Sequence, residues 1–465
     1  MKLSSKVLLA MAISSITATA YAEPASQEFV PTTLAGTSAQ SEAKGFIEDF
    51  SLGGTTRNWY SHESKYRGGT FSYEKHGETL TDRNRTNWVQ GTILNASSGF
   101  TQGTVGVKTE VAVYNALVLD RSKRDIKGGS NRTLADSDGN AVDQWSKLGL
   151  ANVQFRVSNT TLTAGRQNFS SGIVDTIGNR ALPSSFEGVS FNSEEFSNLS
   201  FQGGIFDRVS PRTEQSLSKF RSEYGNGTQE TDKVSTLGVN YQPLKSLKTS
   251  FFAANVKDFW NQYYFGATHE LGDTSQLGLT TGFNYYKTVD EGKKEMGEID
   301  NDTFSLSLGL THQAHSLTFA YQQVNGNEYF DYLHETNGIY LANSLTSDFN
   351  GPNEKSFQVA YAINMAEYGV PGLKFNAYSA RGWGIDGTHY TGNNGRAKFA
   401  YDGIQSQDGE KHQEYGVGAS YALQSGPLKA TTVRATYVEH RGSEFQADGS
   451  IKEFRLVTTI PFNIL

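Results

Sequence analysis

The chain has 465 residues, no cysteine and a formal net charge of −7. The missing cysteine excludes a disulfide framework and Cys-based metal or redox chemistry, and the acidic balance argues against phosphate-backbone binding as the main role. The 48 glycines and 12% aromatic content suit a strand-rich chain with tight turns and interfacial rings.

The N-terminus carries Lys2 and Lys6, then the apolar run Val7–Ile13, then Ala20-Tyr21-Ala22. That order is a charged region, an apolar region and a small-residue cleavage site, so residues 1–22 read as an export signal. The apolar run is too short to cross a membrane as a helix. Residues 23–45 are polar and are expected to form a flexible periplasmic extension. No linker divides residues 46–465.

Beyond that point the sequence alternates. In Phe304-Ser305-Leu306-Ser307-Leu308-Gly309-Leu310-Thr311 every second side chain is large and apolar. This is the period of a strand with one oily face and one wet face. The pattern recurs at Val105/Val107/Val111/Val113, Leu277/Leu279/Phe283/Tyr285, Leu317/Phe319/Tyr321, Phe357/Val359/Tyr361 and Phe454/Leu456/Ile460. Strands are expected at 47–58, 86–96, 103–114, 146–157, 160–166, 186–194, 198–206, 233–242, 247–256, 260–269, 276–288, 302–312, 316–325, 355–364, 373–381, 413–423, 430–440 and 451–465. Segments of about ten residues suffice for a tilted strand to cross a bilayer. Short turns, such as Pro243–Ser246 and Gln313–His315, alternate with long loops near 59–85, 115–145, 167–185, 207–232, 326–354 and 382–412. That asymmetry predicts an all-β fold, a transmembrane antiparallel up-and-down barrel of about 18 strands in the outer membrane. A barrel that wide is expected to hold a water-filled lumen. Tyr241, Tyr361 and Tyr421 would form the periplasmic girdle, and Tyr285, Tyr321 and Tyr437 the outer one.

Parity assigns faces. Val433, Ala435 and Tyr437 face lipid, so Thr432, Arg434 and Thr436 face the lumen. Val153, Phe155 and Val157 face out, so Arg156 faces in. Arg455 and Glu453 face in on the last strand. An arginine on the lipid face near the midplane costs roughly 2–4 kcal/mol. The third long loop, about 167–185, holds Phe169, Ile173, Val174, Ile177 and Leu182. It is too apolar for a solvated loop and is expected to fold into the barrel and narrow it.

Catalytic signals are weak. His312, His315, His440 and many serines are present, but no nucleophile elbow, H-E-x-x-H or spaced metal-ligand set accompanies them. Neither an enzyme, a metal site nor a cofactor is expected. Arg396 and Lys398 beside Phe399 and Tyr401 are a short cluster in an acidic chain, a poor nucleic-acid signal.

Several segments carry a resemblance. They are Asn87-Trp88-Val89-Gln90-Gly91, Ser98-Gly99-Phe100-Thr101-Gln102-Gly103, Leu341-Ala342-Asn343-Ser344, Ser347-Asp348-Phe349-Asn350-Gly351-Pro352, Tyr368-Gly369-Val370-Pro371-Gly372-Leu373, Gln424-Ser425-Gly426-Pro427 and Glu453-Phe454-Arg455-Leu456. Spread from about residue 46 to the C-terminus, they resemble the OprD-like family of substrate-specific outer-membrane porins. The resemblance implies an 18-stranded barrel, a third loop that narrows it, a basic track along one wall and an acidic residue opposite. It implies passive, selective diffusion of small solutes bearing a carboxylate, either amino acids or aromatic and other organic acids. By the resemblance, Asp348 matches the acidic position, Arg434 one arginine of a pair on the penultimate strand, Arg57 an arginine of the first strand, and Arg180 one of the third loop. Thr432 stands where the second arginine of the pair would be, so the track is thinner here. With Arg156 and Arg455 from parity, these are the expected pore-lining residues. Expected partners are the solutes, outer-membrane lipid and lipopolysaccharide, and the barrel-assembly machinery, with no nucleic acid. A general-diffusion porin and, further off, an outer-membrane barrel enzyme are the alternatives.

Overall fold

The computed structural model describes residues 37–67, 69–75, 77–120, 133–136, 140–392 and 400–465. The export signal, residues 23–36 of the expected extension, and Arg396, Lys398 and Phe399 lie outside the described residues.

Eighteen antiparallel strands form one closed sheet. In chain order they are β1 Ser51–Arg67, β2 Asn84–Ser97, β3 Gly106–Val118, β4 Gln144–Val157, β5 Thr160–Gln167, β6 Ser185–Phe196, β7 Leu199–Ser210, β8 Val234–Leu244 and β9 Leu247–Val256. Then follow β10 Trp260–Asp273, β11 Leu277–Asp290, β12 Asp300–His312, β13 His315–Asn325, β14 Lys355–Asn364, β15 Leu373–Ile385, β16 Glu410–Ala422, β17 Thr432–Gly442 and β18 Ser450–Asn463. Each strand pairs with its chain neighbours, and β1 closes the ring on β18, from Gly53 opposite Asn463 to Arg67 opposite Ser450. Closure leaves no edge of that sheet unpaired, which a hydrocarbon surround demands. A small hairpin, Phe71–Lys75 with Glu78–Asp82, sits within the first long loop.

Burial is inverted relative to a soluble protein. On β12, Leu306 is 51% exposed, whereas Thr303 and Ser305 are fully buried. Apolar side chains therefore face the bilayer and polar ones the interior, as the period-2 pattern predicts. The first strand departs from expectation. It runs to Arg67 instead of ending near residue 58, because pairing to both β2 and β18 continues past Tyr60.

The interior is not an open tube. Loops L3 (168–184), L4 (211–233) and L7 (326–354) turn inward. Phe169, Ile173 and Val174 of L3, Phe220 of L4 and Phe330, Leu333 and Leu341 of L7 join wall residues Phe206, Phe252, Trp260 and Tyr286 in one buried cluster. Ala181 and Leu182, at the far end of L3, join Trp59, Val89 and Tyr114 in a second cluster. Three loops thus carry enough apolar surface to pack against one side of the lumen. The described part of the N-terminal extension is also docked rather than free. The Gln40 side chain donates to the Thr101 and Gly103 carbonyls at 2.8 and 3.0 Å, and its backbone N–H donates to the Ser158 carbonyl at 3.0 Å.

Candidate functional site: a basic wall facing an acidic, tyrosine-rich loop

L3 crosses the lumen and is tied at both ends. At one side, the Tyr286 hydroxyl of β11 donates to the Gly172 carbonyl at 2.8 Å. At the other, Arg57 of β1 donates through Nη1 to the Gly178 and Arg180 carbonyls at 2.8 and 2.9 Å, and through Nε to Thr459 Oγ1 at 3.1 Å. Arg57 therefore serves as an anchor for the loop. The approach is close because Gly91 of β2 has no side chain: a Cβ there would lie 2.4 Å from the Ala181 carbonyl oxygen.

The anchored loop delivers Arg180 to a group of cations on the wall. In register, Trp59 of β1 stands opposite Val457 of β18, and Val457 opposite Arg434 of β17. One level outward, Ser61 faces Arg455, which faces Thr436. Trp59 lies under two guanidinium groups, with Arg180 Cζ 5.2 Å and Arg455 Cζ 5.6 Å from its ring. Cation–π contact of this kind eases the crowding of like charges. Two acids balance part of the charge. Glu453 holds Arg455 at 2.7 Å, and Glu63 holds Arg85 in a two-point pair at 2.6 and 2.7 Å. Arg180 Nε and Arg434 Nε are buried and have no hydrogen-bond partner among the described residues. Burial, then the nearby Arg455, pulls the Arg180 guanidinium down to about 9, so it remains a cation at neutral pH. A narrow cavity between Arg434, Arg455 and Glu453 is closed on its other side by Thr346 of L7.

Two residues beyond Thr346 comes Asp348. Its carboxylate accepts from the Ser344 hydroxyl at 2.6 Å and from the Tyr224 and Tyr332 hydroxyls, each at 2.8 Å. Burial pushes its carboxyl up to about 6 against the pull of those donors. Asp331 and Asp175 repeat the theme. Asp331 accepts from the Tyr401 hydroxyl at 2.9 Å, and Asp175 from the Tyr340 hydroxyl at 2.7 Å. Burial raises both to about 6. L4 and L7 are locked together by Arg212 and Glu335, paired at 2.8 Å with side chains 6% and 4% exposed.

Of the expected site residues, Arg57, Arg180, Arg434 and Arg455 are brought together and Asp348 lies on the facing loop. Arg156 is apart. It faces inward as parity requires, but at the periplasmic rim, where Nε donates to Gln40 at 3.1 Å and the guanidinium covers Phe100 at 3.8 Å.

A family model for the outer-membrane porins of the OprD family matches residues 44–464. The chain belongs to the OprD family. It is 36% identical over 439 residues to Porin D of Pseudomonas aeruginosa, spanning 92% of this chain and 94% of that protein. It is similar to the crystal structure of P. aeruginosa OccD3 (OpdP), with 46% identity, a TM-score of 0.81 and coverage of 92% and 94%. A crystal structure of P. aeruginosa OprD follows at 33% identity and a TM-score of 0.76, covering 92% of this chain and 99% of that one. The protein is accordingly a substrate-specific outer-membrane porin, and small solutes pass through its barrel.

The two facing surfaces of this OprD-family porin also hold residues that sequence reasoning missed. Trp59, Glu63, Arg85, Asp175, Asp331, Tyr224, Tyr332 and Tyr340 all belong to the two facing surfaces. The one available signal was Glu328-Tyr329-Phe330-Asp331-Tyr332, too aromatic for a loop in water.

Proposed function

We propose that this porin gives passive, selective diffusion of small carboxylate-bearing solutes, amino acids or aromatic and other organic acids, into the periplasm. The observation that carries the reading is the pair of guanidinium nitrogens, Arg180 Nε and Arg434 Nε, that have no partner among the described residues, within one basic group. A buried donor without an acceptor is costly, and a passing carboxylate supplies the acceptor. A carboxylate about 7 Å from a guanidinium gains about 2 kcal/mol at an effective dielectric of about 20. That attraction concentrates the solute in the pore without trapping it, as flux requires. Asp348 and its tyrosines favour a cationic group at the other end of the solute and disfavour a second carboxylate. Liposome swelling tests the reading. Arg434→Ala should slow entry of a monocarboxylate about tenfold, the equivalent of 1.4 kcal/mol, while a neutral sugar of similar size enters as before. Equal losses for both solutes would return the channel to general diffusion.

A further inference from the structure

At the outer end of β16 and β17 the fold assembles a cluster that the channel does not use. His412 of β16, His440 of β17 and Asp448 of L9 (443–449) present ligand atoms that all lie within 4.8 Å of one another. Both histidines are buried, at 3% and 1% exposure.

The partners of the two rings fix where their protons are. His440 Nδ1 faces the Gly449 carbonyl oxygen at 2.7 Å. A carbonyl only accepts, so Nδ1 carries the proton and Nε2 is left with its lone pair. His412 Nε2 faces Glu354 Oε1 at 2.5 Å, and the other oxygen of Glu354 accepts from the Gly351 amide at 2.9 Å. With Nε2 donating to that carboxylate and one proton on the ring, Nδ1 of His412 holds a lone pair. Yet His412 Nδ1 and His440 Nε2 lie only 2.7 Å apart. Two lone pairs at that distance repel unless an electrophile stands between them. The Ser347 hydroxyl is 3.3 Å from His412 Nδ1, but it has one proton and a shorter contact, 2.6 Å, to Asp448 Oδ2.

The electrophile is either a shared proton or a metal ion, and the surroundings favour the metal. Asp448 adds a carboxylate to the same point. Glu414 lies next to it, accepting from the Ser347 amide at 2.9 Å. Burying the Glu354 and Asp448 carboxylates around two imidazoles is unfavourable without more than one compensating positive charge. The outer contacts also match what metal-ligating histidines require, namely a carboxylate or carbonyl on the second nitrogen that sets tautomer and ring orientation. Two imidazoles and one carboxylate, with the fourth position open to Ser347 or water, suit tetrahedral zinc. Metal–nitrogen bonds of about 2.0–2.1 Å set the ring nitrogens about 3.3 Å apart, which small rotations of both rings supply.

We propose that His412, His440 and Asp448 form a binding site for a divalent transition metal of the zinc class, with Glu354 as the residue that positions His412. Such an ion would tie L9 to two strands of the wall and, through Ser347, to the stretch of L7 that carries Asp348. The test is calorimetric titration of chelator-treated full-length protein in detergent micelles with zinc chloride. Wild type should take up one equivalent saturably. Glu354→Gln should weaken binding on the order of 10- to 100-fold. His440→Gln and Asp448→Asn should weaken it further, with heat-modifiable gel migration confirming that each barrel is folded. No saturable uptake by wild type would leave the shared proton as the occupant and overturn the proposal. Undiminished uptake by folded His440→Gln and Asp448→Asn would overturn it equally.

Discussion

Arg434 on the β17 wall and Arg180 at the end of L3 keep hydrogen-bonding atoms unused, whereas Asp348 of L7 and the Arg212–Glu335 pair that joins L4 to L7 are saturated. Arg180 and Arg434 each hold a buried nitrogen without a partner among the described residues. Asp348 accepts from three hydroxyls, and Glu335 accepts the Arg212 side chain together with its backbone amide. A saturated charge holds structure and acts on a passing solute only through its field, whereas an open one can also bond to it. Loss of the Arg212–Glu335 pair should therefore fail structurally, and loss of a wall arginine in selectivity.

The largest expected effect lies on the saturated side. Arg212→Ala leaves Glu335 buried without its cation, and breaking such a pair costs roughly 3–5 kcal/mol. The L4–L7 seam should open, seen as a larger and noisier single-channel conductance in planar bilayers. An unchanged, quiet conductance would show that the pair does not hold the loops. Next comes the anchor of L3. Gly91→Ala forces a methyl group against the Ala181 carbonyl, and overpacking of this kind costs roughly 1–3 kcal/mol. L3 should shift from the wall, altering conductance while barrel folding, read from heat-modifiable gel migration, stays intact. The smallest effect is one of pH. Burial raises Asp175, Asp331 and Asp348 to about 6, so all three are mostly ionised at pH 7.5 and mostly neutral at pH 5. Because these acids are raised, folding is least favoured by them when they are ionised, and acidification through pH 6 relieves that cost. The cation-to-anion permeability ratio should fall roughly twofold over the same interval, an effect of a few tenths of a kcal/mol. Asp348→Asn should remove part of that pH response, and a ratio that still titrates fully in this variant would exclude Asp348 as a contributor.

The barrel was legible because lipid imposes a local rule. A strand that crosses a bilayer must alternate, and alternation survives in ten consecutive residues regardless of what they touch. Parity likewise put Arg434, Arg455 and Arg156 on the inner face, and the family resemblance pointed to Arg57. Depth is a different matter. Arg156 and Arg434 share a face, but Arg156 lies at the periplasmic rim on Gln40, a partner 116 residues away that no strand pattern announces. The acidic side was hidden for the same reason. Its bonds join Tyr224 to Asp348 and Arg212 to Glu335, separated by 124 and 123 residues. L3 was readable because its inward turn shows as apolar side chains; L7 achieves the same turn partly through hydroxyls and carboxylates, which look like an ordinary wet loop. The histidine pair escaped too, because residues 412 and 440 meet only through the register of adjacent strands.

Arg434 belongs to a rigid sheet, while Arg180 rides on a loop pinned by Arg57 through the Gly178 and Arg180 carbonyls. The gap between the two guanidinium groups is therefore set like the jaws of a caliper, one jaw fixed and the other adjustable. Lengthening, shortening or stiffening L3 would re-space them while every strand, girdle and lipid contact stayed as it is. A lineage built on this frame can change which acid fits without renegotiating how the barrel sits in its membrane.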